Sequence, residues 1–506
     1  MGGDILVTVI VFAAIVVTVT IGLVNWGASM LMGIRTIQAK EQAFQIAEAG
    51  IDYYRWHLAQ YPTDYTNGTS TPGPYYKNFF DKDGNLLGQY SLAITPPPNG
   101  STKVVITSTA TTTSKSNAKR VLQVTLGEPS LAQYAVVAND NMRFGAGTVI
   151  HGPVSSNQGI RFDGVAYNLI SSALATDTDP DNTSCYPYPA CATEWGVWTS
   201  VSPTDPQPPT AVSAPPNDHS TDVFLTGRQY PAPAFPFASL TVNLNNLHTI
   251  ANNGVSGGSC TTATGPCWKA SGSGNYGYYI HINTNNTYDI YKVTGLQSAP
   301  SGCSNDGSPQ WGTWSYTNLG AKIGTYAIPA NGVIFIEDNL WVDGTNVGQS
   351  APTRVTIATA ANISNMSSTT GSNITVNNNL TYATYDGSTV IGLIAQANMN
   401  VGMVSADALQ IDAALVAESG RAGRYYYTPY SGGYGCGVGS VNYGNRTTLT
   451  LNGMIATDFR YGFAYTDNTG YTNRNLNYDA NLLYSPPPSF PLASTQYQTV
   501  SWKQLQ

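Results

Sequence analysis

The chain has 506 residues, and only 10% of them are charged, against about 25% in an ordinary globular domain. Its formal net charge is −7, from 22 basic and 29 acidic residues. The acids are scattered and no basic stripe is present, which argues against a nucleic-acid partner and against an anionic-lipid patch. The surface must instead be polar and weakly charged, rich in Gly, Tyr, Ser, Thr and Asn, as in extracellular β-rich proteins.

Residues 5–24 form an uncharged apolar run, and Asp4 is the only ionisable side chain before Arg35. About twenty such residues suffice to cross a bilayer core of roughly 30 Å. The helical pattern then continues without a break through residues 35–60. Ile37, Phe44, Ala47, Ile51, Tyr54 and Leu58 recur at helical spacing and share one face, while Gln38, Lys40, Glu41, Gln45, Glu48 and Asp52 lie mostly off it. A signal anchor or uncleaved signal peptide would carry the apolar run alone. It would not continue into an amphipathic helix of this length. The stretch Gln42-Ala43-Phe44-Gln45-Ile46-Ala47-Glu48-Ala49-Gly50-Ile51-Asp52-Tyr53 resembles the AEAG signature of the PilX-like branch of type IV pilin-like proteins.

That resemblance implies an N-terminal helix that sits in the membrane and later bundles with its copies in a helical filament. It also implies an inner-membrane assembly machinery and a prepilin peptidase as partners. Arg35 and Lys40 follow the apolar run, an arrangement that would orient a new chain the wrong way for secretion. The expectation is that a short basic leader preceding Met1 has been removed. Many pilins carry Glu at mature position five, where it meets the N-terminal amine of a neighbouring subunit. Here position five is Ile5, and Asp4 is the nearby acid. Either Asp4 takes over the pairing with the amine of Met1 in a neighbour, since charges in hydrocarbon are costly unless paired, or it lies at the membrane interface. Unchanged filament yield after Asp4→Ala would remove the first idea. Gly22, Gly27 and Gly33 interrupt the apolar helix. They mark either a stretch that unwinds in the assembled fibre or close packing of helices through small residues.

After a turn-rich connection at 61–74, strand-like runs at 86–95, 103–112 and 119–126 are separated by Pro/Asn/Gly and Ser/Lys/Asn turns. Val121, Gln123 and Thr125 alternate with Leu122, Val124 and Leu126, as a half-buried antiparallel sheet requires. Residues 1–60 are therefore expected to be a pilin helix, and 61–127 a small β-sheet head.

From 128 to 506 short apolar segments recur at about twenty-residue spacing, with Asn and Gly at the turns, at 332–342, 354–363, 372–380, 389–401, 408–418 and 447–456. This pattern predicts stacked coils sharing one core, a right-handed parallel β-helix or β-solenoid. The alternative is a pair of β-sandwiches. Several of these segments, among them 331–340, 390–398 and 411–417, together with the tail 478–488 and 500–503, are similar to large PilX-type proteins. The resemblance names no catalytic residues. The fold class expected is α+β: a long helix with a small antiparallel sheet, then a mostly β, solenoid-like domain. Segments 177–236 and 252–316 read as long loops decorating it.

Six cysteines suit an oxidising compartment. Cys185 with Cys191 and Cys260 with Cys267 could close local loops, leaving Cys303 with Cys436 for a long-range bridge, though six cysteines permit fifteen connectivities. Zinc is the rival reading, disfavoured because no CxxC and no sequence-adjacent His accompanies them. The alternating carboxylates Asp177, Asp179 and Asp181 suit a hard cation such as Ca2+, and Asp81-Lys82-Asp83-Gly84-Asn85 is either a second such loop or a β-turn. The GxSxG match at 254–258 lacks the strand-turn-helix context of a nucleophile elbow. Glu337, Asp338 and Asp343 lie close on one segment and read as turn residues, and the five histidines show no metal spacing. No cofactor is expected beyond that calcium, and no enzymatic activity. The function expected is a structural filament subunit displaying a β-domain toward a glycan or cell-surface ligand. A low-abundance minor pilin or tip adhesin is the alternative, and a polysaccharide-active β-helix enzyme a weaker one.

Overall fold

The computed structural model describes residues 3–115, 118–178, 193–208, 217–252, 260, 265–303, 307–365 and 367–505. The fold is α+β, a long N-terminal helix followed by mostly β structure. Two compact units form. The first comprises Met1–Pro98, Thr102–Glu128 and Ser494–Gln506, and the second comprises Asn99–Ser101 and Pro129–Ala493.

In the first unit α1 runs unbroken over Gly3–Gln60, roughly 85–90 Å at 1.5 Å per residue. Its second half packs on an antiparallel sheet. The strands β1 (Tyr75–Phe80), β2 (Leu86–Thr95), β3 (Val104–Thr112) and β4 (Lys119–Gly127) lie in that order, and Gln498–Gln504 adds to β4 as the fifth. Burial alternates strictly along β3, so Val104, Ile106 and Ala110 join Tyr90, Leu92, Leu122, Val124 and Leu126 on one face. That face meets Ile46, Ala47, Ile51, Tyr54 and Leu58 of the helix. The packed stripe begins at Ala39 and continues through Ala43. Ile37, expected on it, is 63% exposed, because it precedes the first residue that reaches the sheet. Phe44, also expected there, is half-buried and meets Trp502 edge to face at 5.8 Å.

The last strand corrects the expected division of the chain. The large domain expected over 128–506 includes residues 494–506, yet Gln498–Gln504 hydrogen-bonds antiparallel to β4 and belongs to the first unit. The large unit is an insertion between two neighbouring strands of one sheet. β1 was absent from the sequence expectation as well.

In the second unit the strands stack in parallel. Successive partners run Cys267–Trp268, Val333–Ile336, Arg354–Thr359, Val390–Ala395, Ala408–Ala417, Asn445–Thr457, Val136–Ala138, Val154–Ser156, Ile170–Ser172 and Arg228–Gln229. The chain thus enters mid-stack at Val136 and builds outward to Arg228. It then returns to the opposite end and fills back until Ile455 pairs with Val136. Such parallel pairing distinguishes this unit from antiparallel sandwiches. Both faces of the stack are covered. Ile334 and Ile336 point into the main core, whereas Val333 and Phe335 join a second cluster with Leu244 and Leu247. That accounts for continuous apolar runs where an exposed sheet would alternate.

Asparagines tie the coils together. The Asn339 side-chain oxygen accepts from the Asn373 amide at 2.9 Å, Asn373 accepts likewise from Asn398 at 2.9 Å, and Asn398 accepts from the Arg421 amide at 2.9 Å. Buried Arg424 donates to the carbonyls of Gly402, Met403 and Tyr443 and to the Ser405 hydroxyl, with its guanidinium against the Tyr427 ring.

The expectation of loops fails for 252–316, and short strands interrupt it in the described part of 177–236. Within 252–316 the strands Gly277–Ile282 and Thr287–Leu296 form, and Tyr316–Ala327 completes an antiparallel meander. The meander joins the stack where Gly277–Ile282 runs parallel to Leu340–Val347. Tyr278, Ile280 and Ile282 alternate into the core, so this segment is half-buried sheet. Within 177–236 the strands Thr193–Trp195 and Arg228–Gln229 form. Between these segments lies an unforeseen helix, α2 (Ala238–Ala251), whose Leu244, Leu247 and Ala251 cover the second cluster.

Candidate functional site

The most exposed apolar surface among the described residues is the first half of α1. Every large apolar side chain from Ile5 to Ile34 is exposed, with Ile5 at 68% and Ile34 at 43%. In water, leaving each such side chain unburied forgoes about 1.5–3 kcal/mol. A surface this long is costly to leave in water. The helix is long and apolar enough to cross a membrane, and none of its apolar window is buried within the chain. Asp4 and Ile5 lie in its exposed first turns, where the Asp4 carbonyl accepts from the Thr8 hydroxyl at 2.8 Å. Met1 lies outside the described residues. Gly22, Gly27 and Gly33 sit within continuous helix, and a Cβ added at any of them would meet nothing within 4 Å.

Gly50, inside the AEAG stretch, has the opposite setting. A Cβ there would fall 2.7 Å from Ser108 Oγ and 2.8 Å from the Tyr90 ring. The glycine lets helix backbone approach the sheet. Just past the end of the helix the Asp64 carboxylate gathers donors: His57 Nε2 lies 2.8 Å from it, and the amides of Thr66 and Gly68 donate at 2.8 and 2.7 Å. Burial works against the Asp64 charge, but the Thr66 amide, the His57 imidazole, the Thr66 hydroxyl and the Gly68 amide outweigh it and hold the carboxyl at about 2.

In the second unit a groove of about 1340 Å³ opens beside Arg143, Asp163, Arg421, Phe459, Arg460 and Asn473. That exceeds the roughly 300–1,000 Å³ of ordinary small-molecule sites.

The cysteines resolve partly. Cys303 and Cys436 are joined across 133 residues, in a buried cluster with Met403, Tyr425 and Tyr427. Cys260 and Cys267 are also joined. Cys185 and Cys191 lie outside the described residues. So do Asp179 and Asp181 of the calcium expectation, and the GxSxG segment. Asp177 is half-buried in strand Thr176–Thr178, directly opposite Glu194. Asp81 accepts the amides of Asp83 and Asn85 at 2.9 and 2.8 Å, which makes that loop an Asx turn.

The acids at 337–343 face different partners. Asp338 accepts from the Ser271 amide and hydroxyl at 2.7 and 2.6 Å, and Asp343 accepts from the Tyr279 hydroxyl and lies 2.7 Å from His281 Nδ1. Hydrogen bonding to Asp343 raises the His281 pKa, partly offset by burial. Glu337 instead meets His248, with 3.0 Å between Oε1 and Nε2. Sequence spacing missed this pairing. Register supplies it: Cys267 pairs with Phe335 and Trp268 with Ile336, which sets Glu337 beside Cys267 and the Cys260 amide, while α2 delivers His248.

No family model matches the chain, and no curated protein matches it in sequence. Among solved structures, the competence-associated pilin ComZ from Thermus thermophilus is similar at 12% identity, over 92% of this chain and 98% of that one, with a TM-score of 0.29. At that score the likeness carries no argument here.

Proposed function

We propose that this chain is a subunit of a type IV pilus-like filament, held in the membrane by α1 before assembly and displayed at the cell surface afterwards. One observation supports the reading above the others. A single continuous helix packs its second half on a small antiparallel sheet and leaves its entire apolar first half exposed. Removed from lipid, such a half is satisfied by bundling with copies of itself, and head-to-tail contacts that do not close give a helical fibre. In this reading Asp4 pairs with a neighbour's N-terminal amine, and prepilin peptidase and the inner-membrane machinery are the processing and assembly partners. The second unit is read as a β-helix carried outward, with Ca2+ at Asp177, Asp179 and Asp181. The reading assigns no reaction to the chain.

The test is purification of the full chain in detergent, followed by detergent removal and negative-stain electron microscopy. Filaments from the full chain and none from a chain lacking residues 3–34 support the proposal. Monodisperse particles from both would refute it.

The groove favours a second reading, a minor or tip subunit that binds an extended glycan. Glycan-array binding that is weakened by Arg143→Ala or Arg460→Ala, with the fold intact, would support it.

A further inference from the structure

The chemistry of the Cys260 loop is not used by the filament reading. Cys260 Sγ, Cys267 Sγ, a ring nitrogen of His248 and a carboxylate oxygen of Glu337 all lie within 4.8 Å of one another. His248, Cys260 and Cys267 are 4%, 3% and 5% exposed, and the Glu337 side chain is 11% exposed. Cys260 Sγ is 3.7 Å from His248 Nε2, and His248 Nε2 is 3.0 Å from Glu337 Oε1.

The 3.7 Å between Cys260 Sγ and His248 Nε2 matches the edge of a metal polyhedron, and the 3.0 Å between His248 and Glu337 would lengthen by a few tenths of an ångström around an ion. Zinc binds thiolate sulfur at about 2.3 Å and imidazole or carboxylate at about 2.0–2.2 Å, so neighbouring ligands of a tetrahedron stand about 3.3–3.8 Å apart. Two soft sulfurs with one imidazole and one carboxylate select zinc over calcium or magnesium. The ligands come from α2, from the disulfide pair of Cys260 with Cys267 in the strand Cys267–Trp268, and from the turn after Val333–Ile336. A bound ion would tie helix, loop and coil together, and its binding energy would add to the stability of this end of the stack.

We propose that His248, Cys260, Cys267 and Glu337 form a zinc site in the dithiol state of the chain, for which the Cys260–Cys267 disulfide is the oxidised alternative. Two electrons and two protons from a dithiol reductant convert the disulfide to two thiols, and the reductant leaves as its own disulfide. Zn2+ then displaces the two thiol protons and is bound by two thiolates, the imidazole and the carboxylate. Zinc and disulfide exclude each other, so each links Cys260 to Cys267 in a different redox state.

The experiment uses the full chain in detergent, reduced with a dithiol reductant under nitrogen, desalted and titrated with Co2+ and then Zn2+. The expected result is a cobalt–thiolate charge-transfer band that saturates at one ion per chain and is discharged by zinc. The unreduced chain shows no band. Cys260→Ser with Cys267→Ser abolishes it, while Cys303→Ser with Cys436→Ser and Cys185→Ser with Cys191→Ser leave it unchanged. His248→Gln and Glu337→Gln each weaken the ion by at least about tenfold, the lower end of what losing even an outer-shell partner does. Circular dichroism checks that each variant is folded. A folded, reduced chain without the band overturns the proposal. So does a band that survives loss of both Cys260 and Cys267, or an affinity unaltered in both His248→Gln and Glu337→Gln.

Discussion

Gly50 sets two effects of known sign against each other. In an exposed helix, Gly→Ala stabilises by about 1 kcal/mol, because alanine loses less backbone entropy. At position 50 the new Cβ would stand 2.7 Å from Ser108 Oγ, 2.8 Å from Tyr90 Cδ2 and 3.1 Å from Tyr90 Cγ. The serine hydroxyl can rotate away. The Tyr90 ring cannot, being 7% exposed and packed in the cluster beneath the helix. Overpacking of this kind typically costs about 1–3 kcal/mol, so Gly50→Ala should be destabilising by about 0–2 kcal/mol net. Gly50→Leu, which adds three more carbons to the same gap, should cost more. Gly22→Ala, whose Cβ meets nothing within the chain, carries no such clash. Hydrogen exchange read at the peptides of β2 and β3 isolates the first unit from the second. Protection should fall in Gly50→Ala and fall further in Gly50→Leu. If Gly50→Ala instead raises protection by the equivalent of about 1 kcal/mol, the close approach of helix and sheet is not real and the reasoning fails.

Three further outcomes follow from the same structure. The Asp64 carboxyl, held at about 2 in the folded chain, lies below its ordinary value of about 3.9. Its stabilisation is therefore complete above about pH 4 and lost as pH falls through about 2. Asp64→Asn should remove that dependence and cost about 1–3 kcal/mol at pH 7, read by exchange at the end of α1. Arg424→Met should destabilise the second unit, at about 1–3 kcal/mol for each buried carbonyl left without a donor. Arg424→Lys should recover little of this, because one ammonium cannot reach all of them; denaturant melts measure both. Replacing Cys303 and Cys436 by Ser opens a 133-residue loop and should destabilise by up to about 5 kcal/mol in the loop-entropy account, seen as a lower midpoint under non-reducing conditions.

Much of the architecture was legible because periodicity reports burial. The alternation of Leu122, Val124 and Leu126 marks one face of a strand, and the runs at 333–336 and 390–395 mark strands buried on both faces. Ile37 misled because helical spacing identifies a face without saying where the partner begins. Gln498–Gln504 was invisible as a strand of the first sheet because its partner lies more than 370 residues earlier, and every side chain in it is exposed. The meander at 277–327 was hidden by its Tyr, Thr and Gly content, which reads equally as loop. His248 and Glu337 carry no local signal toward Cys260 and Cys267. Only the register of one coil on the next puts them together.

The proposed role of α1 is to make this chain a filament subunit. Its most direct test is to shear surface filaments from source cells and quantify the chain in them by mass spectrometry, beside cells expressing Asp4→Ala and cells lacking residues 3–34. The account predicts the chain in the sheared fraction, its amount reduced by Asp4→Ala and abolished by the deletion. Recovery only as a membrane-bound or soluble monomer, with filaments free of it, would contradict the account.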